Sequence, residues 1–81
     1  MTEKRPFDIL NSSLNNNVIV GIKGGREIRG LMASYDVHMN IVIEKAEVIE
    51  MERTPEGTKE KIRGLGTVLV RGDSVVYISP A

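Results

Sequence analysis

Eighty-one residues with no cysteine and a single histidine make one small domain. They exclude a disulfide framework, a thiolate zinc site and a cysteine nucleophile, and leave any nucleophilic scheme one candidate imidazole base. Enzymatic chemistry, a metal and a cofactor are therefore not expected. Lys+Arg and Asp+Glu balance at 11 each, so the bulk positive field that draws a protein onto nucleic acid or anionic membrane is missing, and any such role must rest on a local site.

No apolar run approaches the roughly 18 residues that span a bilayer, and Met1 to Arg5 are not followed by an apolar signal core, so the chain is expected in the cytoplasm. Phe7, Leu10 and Leu14 recur at i, i+3 and i+7 behind Pro6, which predicts a short amphipathic helix over about 6–14. Asn15-Asn16-Asn17 ends it, since Asn tolerates the left-handed backbone of a helix C-terminus. Val18 to Lys23 and Arg26 to Asp36 are strand formers joined by Gly24-Gly25, a two-residue hairpin signal. In the second strand the apolar parity shifts around Gly30, and in the third, Asn40 to Glu52, it shifts between Ile43 and Ala46. Both shifts predict sharp bends of the kind a small curled barrel needs.

The charged stretch Arg53 to Lys61 is expected to be a solvent loop, followed by strands at Arg63 to Val70 and Ser74 to Ser79. Val68-Leu69-Val70 and Val75-Val76-Tyr77-Ile78 are apolar on both parities, which calls for burial on both faces. As terminal strands of a five-stranded sheet they would be edges, and an apolar edge is orderly only when covered. Another copy of the chain pairing edge to edge supplies that cover, so a ring is predicted. A core this small also gains most from such assembly.

Two turn segments could carry recognition: Asp36-Val37-His38-Met39-Asn40 between strands two and three, and Arg71-Gly72-Asp73 between strands four and five. Here the sequence resembles the Sm and Sm-like family. Phe7 to Ile49, with its strand portion over about 18–52, resembles the first Sm motif, carrying Gly30 and D-x-H-M-N at 36–40. Gly66 to Ser79, within about 63–79, resembles the second, carrying Val70-Arg71-Gly72. Residues 53–61 would be the variable loop between them, all within one domain, 1–81. The resemblance is to archaeal-type members without long tails. It implies a mostly β fold, a helix capping a five-stranded, strongly bent antiparallel SH3-like barrel, assembled through the fourth strand of one subunit and the fifth of the next. The rings have six or seven members, with the heptamer expected here.

The resemblance further implies a pore that binds one uridine per subunit in single-stranded U-rich RNA. His38 and Arg71 would sandwich the base, Asn40 would read its edge, Asp73 would hold Asn40, and Gly72 would leave room for the base. Stacking on imidazole and guanidinium is worth about 1–3 kcal/mol per base but barely tells bases apart. The edge does so, provided the Asn40 amide cannot flip, because uracil offers an acceptor and a donor where cytosine offers the reverse. Gly30 is expected to be steric and Asp36 to stabilise its own turn. Lys4, Arg5 and Tyr35 would form a second RNA contact near the helix. The competing function is an SH3-like module binding peptides, but Phe7, Tyr35 and Tyr77 are too few to line an aromatic groove.

Overall fold

The computed structural model describes residues 5–81, so Lys4 lies outside the described residues. An N-terminal helix α1 (Pro6–Ser13) precedes strands β1 (Asn17–Ile22), β2 (Arg26–Tyr35), β3 (Ile41–Thr54) and β4 (Gly57–Val70), a single 3-10 turn at Gly72–Ser74, and β5 (Val75–Pro80). The strands form one antiparallel sheet in the order β4-β3-β2-β1-β5.

Pro6 opens α1, and the Asp8 carboxylate accepts from the Arg5 backbone N–H. Asn15 takes the left-handed conformation (φ 62°). Its N–H then donates to the Met32 carbonyl, and the Met32 N–H donates back to Asn16, which fastens the helix exit to β2. The β1–β2 hairpin loop has three residues, one more than expected, because Ile22 pairs with Arg26 and Lys23 joins Gly24 and Gly25 in the turn; both glycines carry positive φ, a conformation glycine adopts without steric cost.

Bending is what makes the sheet curl. In β3, Ile41 and Ile43 face inward, Lys45 sits at φ 52°, and the inward parity then passes to Ala46 and Val48. The β3–β4 register slips at the same place. In β2 the register with β3 also slips, between Arg29 and Leu31, but the inward parity holds from Ile28 to Met32. Gly30 thus lies on the inner face, where a Cβ would stand 2.5 Å from Ile43 Cγ2 and 2.8 Å from the Glu44 carbonyl oxygen. The missing side chain lets β3 cross closely, and no change of face is needed. Val18, Val20, Met32, Ile41 and Ile43 are fully enclosed by this curl, each worth about 1.5–3 kcal/mol on burial. Leu10 adds the helix to the same cluster.

Residues 53–61 depart from the expected loop. Only Pro55 and Glu56 form a turn, and the rest continues β3 and β4 as a long hairpin. Glu50 lies opposite Lys61 and Glu52 opposite Lys59, so charges that suggested a solvated loop are cross-strand partners. The Thr54 hydroxyl donates to the Gly57 carbonyl across the turn, 2.7 Å.

Within one chain, β4 and β5 are the two unpaired edges, and their apolar residues are only partly covered. Val70 is buried, whereas Leu69 is 66% and Val76 64% exposed. The burial that both strands call for is not provided by the single chain.

Candidate functional site

The sheet register brings the two signature turns together. β3 begins at Ile41, β4 ends at Val70, and these two residues are paired. Asn40, one step before the pair, and Arg71, one step after it, are consequently neighbours although 31 positions separate them in sequence.

The first turn is built around the Asp36 carboxylate. Its Oδ1 accepts the backbone N–H groups of His38 (2.9 Å) and Asn40 (3.0 Å), and its Oδ2 accepts the Asn40 side-chain amide, 3.0 Å. Those bonds, the Asn40 amide foremost, hold the Asp36 carboxyl below the usual carboxylate value, because they favour the charged form. Backbone bonds from Asp36 N–H to the Asn40 carbonyl and from Met39 N–H to the Asp36 carbonyl close the loop. Met39 takes a left-handed conformation, φ 64°.

The second turn meets the first at Gly72. Its N–H donates to Asn40 Oδ1, 2.8 Å. A Cβ at Gly72 would stand 1.8 Å from the His38 carbonyl oxygen and 3.0 Å from the Met39 carbonyl carbon. The space that was expected to admit a base is therefore taken up by the other turn, and glycine is needed for turn-on-turn packing. Arg71 and His38 are both exposed, and their side chains leave backbones that converge at this contact.

Asp73 does not hold Asn40. Its carboxylate pairs with Arg71 at 3.3 Å, on the surface, where such a pair adds little stability but steers the guanidinium. The Asn40 amide is fixed instead by Asp36 on its nitrogen and by the Gly72 N–H on its oxygen. A flipped amide would oppose an oxygen to the carboxylate and a nitrogen to the Gly72 N–H, so both anchors reject it. The spacing of Asp36 from His38 signals the backbone anchor in the sequence, since an Asp can reach backbone N–H groups two residues on. No sequence pattern marks the second Asp36 oxygen, which reaches the Asn40 side chain. One amide N–H and one oxygen lone pair of Asn40 are left over in fixed positions.

Tyr35 is engaged elsewhere. Its hydroxyl donates to Asn11 Oδ1 and its ring lies 6.3 Å from that of Phe7, so it docks α1 on the end of β2. Arg5 contributes its backbone to the helix start. Among the described residues no group of three or more His, Cys, Asp or Glu is arranged to hold a metal ion, and no helix is long and apolar enough to cross a membrane.

Known proteins share this arrangement along nearly the whole chain. The LSM domain family matches residues 8–80. An snRNP Sm-like protein of Methanococcoides burtonii is 51% identical over 76 residues, covering 94% of this chain and 96% of the relative. Another, from Archaeoglobus fulgidus, is 49% identical over 77 residues, with 95% and 91% covered. Among solved structures, a Pyrococcus abyssi Sm protein in complex with a uridine heptamer superposes with a TM-score of 0.78 at 36% identity, covering 96% of this chain and all of that one. The P. aerophilum SmAP1 heptamer gives 0.78 at 30% identity, with 99% and 97% covered. With a helix-capped bent five-stranded sheet, two signature turns joined at Asn40 and Gly72, and these matches, the chain belongs to the LSM family of Sm-like proteins.

Proposed function

We propose that this chain is the subunit of a homo-oligomeric ring, a heptamer, that binds single-stranded uridine-rich RNA at its pore and serves RNA processing, turnover or chaperoning without chemistry of its own. The observation that carries the proposal is the two-sided anchoring of the Asn40 amide. Its free N–H suits uracil O4 and its free lone pair suits uracil N3–H, whereas cytosine would need the amide that both anchors reject. His38 and Arg71 supply stacking planes above and below, Asp73 steers Arg71, and Gly72 lets the two turns close. The open β4 and β5 edges support assembly, as does the superposition on a heptamer. The relative solved with a uridine heptamer supports the ligand.

Convergence of several Arg71 side chains on one pore would give a positive potential despite the neutral subunit. Adjacent pockets would turn modest affinity per base into avidity for a run of uridines. Titration of oligo-U, oligo-C and oligo-A against the wild type and Asn40→Ala, with native mass measurement alongside, tests the proposal. Preference for oligo-U that disappears in Asn40→Ala, on a seven-membered particle, is expected. Equal affinity for oligo-U and oligo-C, or a monomer at micromolar concentration, would overturn it.

A further inference from the structure

The β1–β2 turn and the β3–β4 hairpin enclose a cleft of about 410 Å³, a size at which small-molecule sites occur. It lies at the far ends of β2 and β3 from the signature turns, with Ile49, Met51 and Tyr77 on its walls. Tyr77, Gly21 and Glu27 stand in one register row across β5, β1 and β2. The phenol ring lies on Gly21, where a Cβ would overlap Tyr77 Cε2 and stand 2.5 Å from Cζ. Its hydroxyl reaches past β1 and donates to Glu27 Oε2, 2.7 Å. Glycine beneath and carboxylate at the tip fix the ring, yet Tyr77 is 48% exposed. The ring leans over β1 and away from the free edge of β5, so a strand added at that edge leaves its outward face open.

A fixed, exposed aromatic ring is a stacking platform, since the entropy of ordering it is lost before a ligand arrives. The polar groups around it divide by chemistry. Glu27 and Glu60 supply carboxylates, which only accept hydrogen bonds, and Arg29 holds both, at 3.6 and 3.9 Å. Lys23 and Arg26 supply cations at the turn; Arg26 is shared with Glu50, 3.7 Å away, which leaves Lys23 the freer of the two. A ligand that suits this cleft is a flat ring with donors toward the carboxylates and a negative group toward the turn. Nucleotides have that polarity, but not all equally. Adenine and guanine turn amino groups to the carboxylates, whereas uracil turns carbonyl oxygens to them. Purines also cover more of the phenol ring than cytosine does.

We propose that this cleft is a purine site separate from the pore, which stacks a purine of single-stranded RNA on Tyr77, offers Glu27 and Glu60 to its amino edge and Lys23 to its phosphate. Neither signature turn contributes a residue to the cleft, so the site does not depend on the uridine-binding proposal above.

Calorimetry with adenosine, guanosine, cytidine and uridine monophosphates (AMP, GMP, CMP and UMP) tests this on the assembled protein, before and after saturation with oligo-U. AMP and GMP are expected to bind the oligo-U complex more tightly than CMP or UMP, and as tightly as they bind the protein without RNA. Tyr77→Ala should weaken AMP about fivefold or more. Glu27→Gln, whose amide still accepts from the Tyr77 hydroxyl, should narrow the preference for AMP over UMP in a folded protein. Lys23→Ala should weaken AMP and leave adenosine unchanged. Displacement of AMP by oligo-U, UMP bound to the oligo-U complex as tightly as AMP, or AMP binding unaffected by Tyr77→Ala would overturn the purine site and leave the uridine proposal standing. An AMP-to-UMP ratio unmoved by Glu27→Gln would overturn it as well. If oligo-U itself fails to bind, the uridine proposal falls, and the purine site is still read on the protein without RNA.

Discussion

Replacing Gly72 with alanine probes the junction of the two turns with the smallest available side chain. The added Cβ would lie 1.8 Å from the His38 carbonyl oxygen, against about 3.3 Å for an ordinary carbon–oxygen contact. The turns would have to separate by about 1.5 Å, a shift that stretches the Gly72 N–H bond to Asn40 Oδ1 from 2.8 Å to beyond bonding range. Overpacking of this kind costs about 1–3 kcal/mol and the lost hydrogen bond about 1 more, so Gly72→Ala should destabilise by about 2–4 kcal/mol. It should also narrow the preference for UMP over CMP, because one of the two amide anchors is gone. Gly64→Ala is the control, since no atom lies within 4 Å of a Cβ there. Urea unfolding and calorimetry with the two nucleotides measure both effects. If Gly72→Ala unfolds at the same urea concentration as Gly64→Ala and keeps the wild-type UMP-to-CMP ratio, the packing argument is refuted.

Asp36→Asn keeps an oxygen for the backbone N–H groups of the turn but sets a second NH2 against the Asn40 amide; UMP preference should fall in calorimetry more than turn stability falls in urea. The Asp36 carboxyl is held below its ordinary value, so its contribution is complete above the unfolded value near 4 and is lost as pH falls through the lower folded value. Unfolding followed against pH should show that acid inflection in the wild type and not in Asp36→Asn. At the other end of the scale, the Tyr77 hydroxyl donates to Glu27 and its pKa is raised by that carboxylate. Its contribution is complete below the unfolded value near 10 and is lost as pH rises through the higher folded value, and Tyr77→Phe should flatten that alkaline loss.

What the sequence discloses and what it hides divide along physical lines. Phe7, Leu10 and Leu14 mark the helix because burial imposes its period, and Gly24-Gly25 marks the hairpin because few residues accept two successive positive φ angles. The bend in β3 is visible in the parity of Ile43 and Ala46. Residues 53–61 mislead because a charged strand with its partners opposite has the composition of a loop; the alternation of Glu50 and Glu52 with Lys59 and Lys61 can be recognised only once the turn at Pro55 is placed. Gly72 and Asp73 mislead for a different reason. The identity of a residue in a signature turn does not say which neighbour its atoms face, and the His38 backbone carbonyl, 34 positions away, takes the space beside Gly72 that a ligand would otherwise have.

Asn40 is proposed to read uracil with an amide fixed by Asp36 and Gly72. A crystal structure of this chain with oligo-U tests it most directly. Uracil is expected between His38 and Arg71, with O4 on Asn40 Nδ2, N3–H on Oδ1, and both anchoring bonds kept as they are without RNA. Uracil bound away from Asn40, or an Asn40 amide that has exchanged Asp36 for the base, would contradict it.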